Sequence, residues 1–422
     1  MDDEVRSRRR WLPELPEDWD SISLKYCMDC LDGDRVPLNS TERSERQGEI
    51  PYWGAGGVVD HIDEWIFDEP LILLGEDGAP FDDLHRPVAH YVNEKVWVNN
   101  HIHVLRARKN YDEKFLCYAL NSVDYHPFLS GSTRDKLTQA DMKEIPLPIP
   151  PIPVQRRIAR FLDENTKEID VLIDKKQRLL DLLDEKKEAI IVESVTGGLD
   201  EQTLLKDSGI PTIGKIPSHW RVVPNRAVFQ EIDNKSETGE GELLTVSHKT
   251  GVTLRTEKDV NMFEADSLEG YKWANQGDLV INTMWAWMGA VGSAPQRGLV
   301  SPSYHVYRPN ELMNPEYADY LYRTPPYVTQ MERFSKGVWK SRSRLYPDEF
   351  LRMDTVLPPI DEQKEIVDKI NTEVNDIDEL HGKVEKSIDL LREKRQSMIT
   401  KAVTGQINLS EWQSTDKQEV AQ

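Results

Sequence analysis

Two stretches of this chain carry apolar residues at a regular seven-residue spacing. In the later one Ile370, Ile377, Val384, Leu391 and Met398 recur at every seventh position, and Ile366, Leu380 and Ile388 widen the stripe. That recurrence predicts a helix with a coiled-coil seam. In the earlier one Leu162, Ile169, Lys176, Leu183 and Ile190 stand at the equivalent places, so the same face is apolar apart from one lysine. Prolines stop just short of each stretch and a glycine follows it where a left-handed cap is favoured. About 40 residues at ~1.5 Å rise predicts a rod of ~60 Å. Each helix is too polar to stand alone, so the two are expected to pair with each other.

The stretches are copies of one another. Pro150-Pro151-Ile152-Pro153-Val154-Gln155 through Val195-Thr196-Gly197 overlays Pro358-Pro359-Ile360-Asp361-Glu362-Gln363 through Val403-Thr404-Gly405 without a gap. Ile169-Asp170 then matches Ile377-Asp378, and Asp181-Leu182-Leu183 matches Asp389-Leu390-Leu391. The blocks between them repeat more faintly: Leu15-Pro16-Glu17-Asp18-Trp19 opens one, Ile216-Pro217-Ser218-His219-Trp220 the other. Short β-rich runs such as Leu71 to Leu74, Val96 to Val98, Asp278 to Ile281 and Val300 to Tyr307 alternate with Gly, Pro, Asn and Asp turns, which predicts compact α+β domains. The expected order is therefore a globule at 1–149, a helix at 150–199, a second globule at 200–357, a second helix at 358–409 and a disordered tail at 410–422.

Composition adds limits. Hydrophobic residues at 38% exclude a disordered chain, and three cysteines cannot build a disulfide framework. No stretch reaches the ~20 apolar residues of a membrane span, and Met1 to Arg10 lacks an apolar signal core, which predicts a soluble, cytoplasmic protein. The net charge of −21 opposes nucleic-acid binding at long range. Bases nevertheless cluster at Arg6 to Arg10 and from Arg333 to Arg344, and within ~8–10 Å local fields outweigh the total.

Two unlike globules on a repeated frame suit a ligand with fixed half-site spacing, and duplex DNA offers one at multiples of ~34 Å. The Pro-Pro-Ile…Gln helix entry, the Val-Thr-Gly exit and the Ser208-Gly209-Ile210…Gly214-Lys215-Ile216-Pro217…Trp220 opening resemble the specificity subunit of type I restriction–modification systems, nearly to Ser410. Several inner stretches are similar to that family's target-recognition domains. They are Pro51 to Gly57, Gly75-Glu76-Asp77-Gly78-Ala79 and Asn99-Asn100-His101 in the first globule, and Gly277 to Asn282, Met284-Trp285-Ala286-Trp287 and Val300 to Tyr304 in the second. The resemblance implies an α+β fold class: two globular target-recognition domains separated and joined by two long antiparallel coiled-coil helices with pseudo-two-fold symmetry. It implies as partners double-stranded DNA with a bipartite site, two methyltransferase subunits, and nuclease/translocase subunits.

Chemistry nominates contacts within the globules. Hydroxyls, glycine N–H groups and cations bind phosphate, which points to Ser132, Thr133, Arg134 and Lys136 in the first globule and Lys336, Lys340, Ser341, Arg342 and Arg344 in the second. Arg and Lys also read guanine. Gly56-Gly57 reads foremost as a turn, and Trp285 and Trp287 as core. Catalytic look-alikes fall away on inspection. Pro347-Asp348 with Glu362-Gln363-Lys364 mimics a nuclease, but the latter three belong to the helix entry. Thr324-Pro325-Pro326-Tyr327 lacks the amide or carboxylate of an amino-methyltransferase box. Gly209 to Ile216 lacks the Ser/Thr of a P-loop and ends in proline. Cys27-Met28-Asp29-Cys30 is a lone pair without a second pair at zinc-site spacing, and although His85, His90, His101 and His103 lie in the same block, it is best read as two buried free thiols. No catalytic, cofactor or metal site is expected. The alternative reading is a coiled-coil assembly protein whose globules bind proteins, which the acidic total favours.

Overall fold

The structure, a computed structural model, describes residues 11–83, 85–131, 135–200, 202–257, 267–337 and 343–412. The chain divides into two compact units: Met1–Arg178 with Val384–Gln422, and Leu179–Lys383. The helices used below are α1 (Glu113–Leu120), α2 (Ile152–Gly197), α3 (Pro315–Arg323), α4 (Pro325–Phe334) and α5 (Ile360–Val403). Both long repeats are thus helical, and each begins within two residues of a Pro-Pro pair.

The first unit is built on a sheet of β1 (Met28–Cys30), β2 (Leu71–Gly75), β3 (Ala89–Val92) and β4 (Ile102–Ala107), ordered β1-β4-β2-β3 and antiparallel throughout. A two-stranded hairpin of β5 (Leu129–Ser130) and β6 (Lys136–Leu137) follows. Every residue of β2 is buried, so its apolar run does not alternate. The side chains still alternate in destination. Ile72 and Leu74 enter the cluster that holds Phe115 and Leu120 of α1, while Leu71 and Leu73 enter another with Val96, Val98 and Val104.

The second unit repeats this plan. Its sheet is β7 (Phe229–Ile232), β8 (Leu279–Asn282), β9 (Val291–Ser293) and β10 (Tyr304–Pro309), ordered β7-β10-β8-β9 and again antiparallel. Leu279 and Ile281 face the core of α3 and α4, and Val280 faces the opposite cluster. In each unit the strand that opens the globule pairs with the one that ends it: Asp20–Ser23 with Pro146–Ile149, and Arg221–Pro224 with Asp354–Leu357. The long helix leaves directly from that closing strand.

Each unit contains part of both long helices, running antiparallel. In the first, Ile158 and Leu162 of α2 share a core with Ile399, Ala402 and Val403 of α5, and Arg395 lies 2.8 Å from Asp170. In the second, Val195 of α2 joins Ile366, Ile370 and Val374 of α5, and Lys187 lies 2.7 Å from Asp378. These two ion pairs join the same repeat positions with the roles of the helices exchanged. The seam residues Ile370, Ile377, Val384 and Ile388 are buried. Leu380, expected in the stripe, is 44% exposed instead. At ~100° per residue it falls roughly 60° to the side of Ile377 away from Val374, outside the buried arc.

The buried glutamines of the helix entries have matching roles. Gln155 accepts from the N–H of Asp112 at 2.9 Å and donates to the carbonyl of Pro150 at 2.7 Å. Gln363 accepts from the N–H of Asn314 at 2.8 Å and donates to the carbonyls of Pro358 and Leu312, each at 2.9 Å. Asp112 and Asn314 are the N-caps of α1 and α3, so one amide ties each long helix to a helix of its globule. At the helix exits the left-handed residues are Gly198 and Gly405, the former one place later than Gly197. A side chain at either would meet Pro217 and Trp220, or Pro16 and Trp19, which explains why the Pro-x-x-Trp opening repeats.

Candidate nucleic-acid interface

In the first unit the hairpin of β5 and β6 ends at Leu129↔Leu137 and Ser130↔Lys136. Its base is fixed from the sheet: the N–H of Leu137 donates to the carbonyl of Glu76 at 2.7 Å, and Asp77 bridges Lys136. The side chain of Lys136 lies 3.1 Å from Glu76 Oε1, and Arg35 donates to Oε2 of the same carboxylate at 2.8 Å. His101 lies 2.7 Å from Asp77. Two separate sequence motifs, Gly75 to Ala79 and Asn99 to His101, therefore meet Lys136 in one place.

Beneath them is buried His103, one of the histidines that share a block with the Cys27–Cys30 pair. His103 is hydrogen-bonded at Nδ1 to Asp32 Oδ2, at 2.7 Å, and at Nε2 to the carbonyl of Leu137, at 2.9 Å. Burial pushes the Asp32 carboxyl up, but the His103 contact, the Val104 N–H and the Arg35 charge outweigh it and hold it down to about 2. Glu76 is also below the usual range, burial being overcome by Arg35 and Lys136. Cys30, Asp32 and His103 place one metal-ligand atom each within 4.8 Å of one another, Asp32 being the member the sequence did not name. Both imidazole nitrogens are already engaged there, one with the Asp32 carboxylate and one with the Leu137 carbonyl. Burial raises the Cys27 thiol to about 11 and the Cys117 thiol to about 12, as for inert core thiols.

The second unit holds a corresponding constriction. Lys336 and Arg344 exchange both backbone hydrogen bonds, at 2.9 and 3.0 Å, and close the loop between them. The N–H of Leu345 donates to the carbonyl of Thr283 at 3.3 Å, just beyond β8. Lys336 lies 2.5 Å from Glu349, and that contact lowers the Glu349 carboxyl. His305, opposite Ile281 as His103 is opposite Leu74, hydrogen-bonds Glu231 at 2.8 Å.

Of the nominated residues, then, Lys136, Lys336 and Arg344 stand at the bases of two loops. Ser132, Thr133, Arg134, Lys340, Ser341 and Arg342 lie outside the described residues. Gly56 lies in the turn between two paired strands and Gly57, with φ of 125°, opens the second. Trp285, expected in the core, is 48% exposed. The segments that imitated catalytic motifs have structural roles. Glu362 accepts from the indole of Trp220 at 3.0 Å and pairs with His219. Pro325 and Pro326 start α4 while Tyr327 is buried against Thr355. The Ser208–Gly214 turn closes on itself, the Ser208 N–H donating to the Gly214 carbonyl at 2.8 Å. A cleft of about 760 Å³ in the second unit is lined by Glu316, Asp319, Tyr320 and Asn371, an acidic wall unsuited to phosphate. Among the described residues no helix is long and apolar enough to cross a membrane.

Comparison with known proteins agrees with this architecture. Residues 16–180 match the type I restriction modification DNA specificity domain family. A stretch of 132 residues is 36% identical to a Haemophilus influenzae protein named for a type I restriction enzyme specificity subunit, covering 31% of this chain and 33% of that one. The EcoBI specificity subunit of Escherichia coli is 22% identical over 90% of this chain and 82% of its own length. A solved chain from work on complex assembly and conformational transition of the type I R-M system superposes with a TM-score of 0.65, at 16% identity, over 94% of this chain and 100% of that one. The repeated helices and the twice-built sheet thus accompany a likeness to type I restriction–modification specificity subunits, over residues 16–180 by the family match and over most of the chain at low identity.

Proposed function

We propose that this chain is the sequence-reading subunit of a type I restriction–modification complex, with each globule reading one half of an asymmetric, bipartite site in double-stranded DNA. The supporting observation is that both units carry the same sheet and a loop closed at the same place on it, while the side chains around the two loops differ: Glu76, Asp77 and His101 in one, Met284 and Trp285 in the other. Shared frames with unlike surfaces are what two different half-sites require. Lys136, Lys336 and Arg344, together with Ser132, Thr133, Arg134, Lys340, Ser341 and Arg342, are the assigned backbone contacts. The long helices hold two methyltransferase subunits and, in the full complex, the nuclease/translocase subunits, so the chain directs chemistry carried out by its partners.

The test is single-molecule methylome sequencing of a host expressing the neighbouring methyltransferase with and without this chain. Methylation of one split motif only when the chain is present is the expected result. An unchanged pattern, with both proteins expressed, would transfer the assignment to a coiled-coil assembly protein whose globules bind proteins, the reading that the charge of −21 favours.

A further inference from the structure

Directly after the buried strand β8 the second unit turns its apolar side chains outward. Met284 is 37% and Trp285 48% exposed, and Trp285 stacks on Trp287 with ring centroids 6.4 Å apart and planes 16° from parallel. The turn is rigid. Trp287 Nε1 donates to the Met284 carbonyl at 3.0 Å, the Met288 N–H to the Trp285 carbonyl at 2.9 Å, and Ala286 is fully buried beneath. Gly289 ends it at φ of 87°, where a Cβ would lie 3.0 Å from Val328 of α4. Adjacent apolar side chains held outward on a fixed turn are costly to solvate and mark a binding surface. A preformed indole also loses little entropy on binding.

The position of the turn names the ligand. Thr283 accepts the backbone bond from Leu345 that seats the loop closed by Lys336 and Arg344. In the first unit the corresponding bond, from Leu137, goes to Glu76, so the turn after β2 occupies the same place but carries ion-paired acids. A loop closed by Lys336, itself paired with Glu349, and Arg344 is thus seated on the residue before the apolar plate, and a cationic loop base next to such a plate fits a polyanion whose bases present apolar edges, the thymine methyl above all.

We propose that Trp285, flanked by Met284 and Trp287, is a specificity-determining base contact of the half-site read by the second unit, its indole lying against base edges and thymine methyls. The proposal rests on the DNA-reading function above. The test uses the full chain assembled with its methyltransferase, and fluorescence anisotropy on the methylated duplex and on duplexes altered singly in either half. Trp285→Ala is expected to bind the parent duplex about 10-fold more weakly and to lose discrimination at one or two positions, all within one half-site, with Trp285→Phe restoring most of both. Unchanged affinity and discrimination would overturn it. So would uniform weakening with discrimination intact, which marks a backbone contact, or loss of the methyltransferase from the complex, which marks a protein interface. Circular dichroism of Trp285→Ala separates these from misfolding, and Trp285→Phe carries the decision if the alanine variant does not fold. If the wild-type complex itself prefers no duplex, the DNA-reading function fails first and Trp285 loses its ligand with it.

Discussion

Asp32 is among the residues on which the loop of the first unit depends most. It reaches His103, the Val104 N–H and the Arg35 side chain from a nearly enclosed position, and its folded-state carboxyl is held down to about 2. An unfolded aspartate titrates near ~3.9. The stabilisation is therefore complete above that value and is lost as pH falls through about 2. Asp32→Asn should cost about 1–3 kcal/mol at pH 7, and the gap from wild type should close between roughly pH 4 and 2; urea unfolding at stepped pH measures both. A gap that stays constant down to pH 2 would mean the carboxylate charge is irrelevant. Arg344→Ala should weaken binding evenly across duplex sequences and lower the salt slope of log Kobs by ~1. Lys136→Ala should do less, because its ammonium already pairs with Glu76; anisotropy across a KCl series compares the two. Lys136 and Arg344 were visible in the sequence because cations near Gly and Ser are recognisable from type alone. The partners of Lys136 were not, since Glu76 lies 60 positions away and only strand pairing brings it near. Asp32 carried no local signal, and His103 was visible only as one of four histidines in the block of the Cys27–Cys30 pair.

At the scale of elements, the glutamine of each helix entry is a clamp. Gln363→Leu keeps much of the volume but leaves two carbonyls and one N–H without partners in a buried place. At about 1–3 kcal/mol for each of the three orphaned groups the loss should reach roughly 3–9 kcal/mol. Gln155→Leu should cost less, since it orphans one carbonyl and one N–H. Chemical denaturation of the two variants tests the order; a loss under ~1 kcal/mol for Gln363→Leu would show that solvent satisfies these groups instead. Periodicity and proline placement were enough to find both helices, because those signals are local. What Gln155 and Gln363 do was hidden, for their partners sit on other elements. Leu380 was misplaced for a related reason: a stripe read as a count of positions carries no angle, and the buried arc is narrower than the count implied. Trp285 was assigned to the core on the usual burial of tryptophan, yet the turn that ends at Gly289 leaves it 48% exposed.

At the scale of the molecule, the first unit is assembled from the two ends of the described chain. Ile399, Ala402 and Val403 of α5 stand in the same core as Phe115 and Leu147. Val403→Ala should thus destabilise the globule nearest the N-terminus, by about 0.5–2.5 kcal/mol. Hydrogen exchange read by mass spectrometry should show faster exchange across 24–149 and none across 210–357. Equal acceleration in both would mean that the two units unfold as one. The ion pairs of Glu76, Asp170, Asp378 and Glu349 each take a cation with the acid, so they leave the net charge of −21 as it was. The interleaving also sets an order in time. A ribosome delivers residues 179–383, the whole of the second unit, before it has made any of 384–409. The globule encoded second can therefore complete its core first, while the one encoded first waits, its apolar surface uncovered, until the final helix emerges. Translation slowed late in the message is expected to prolong the exposure of the first unit alone.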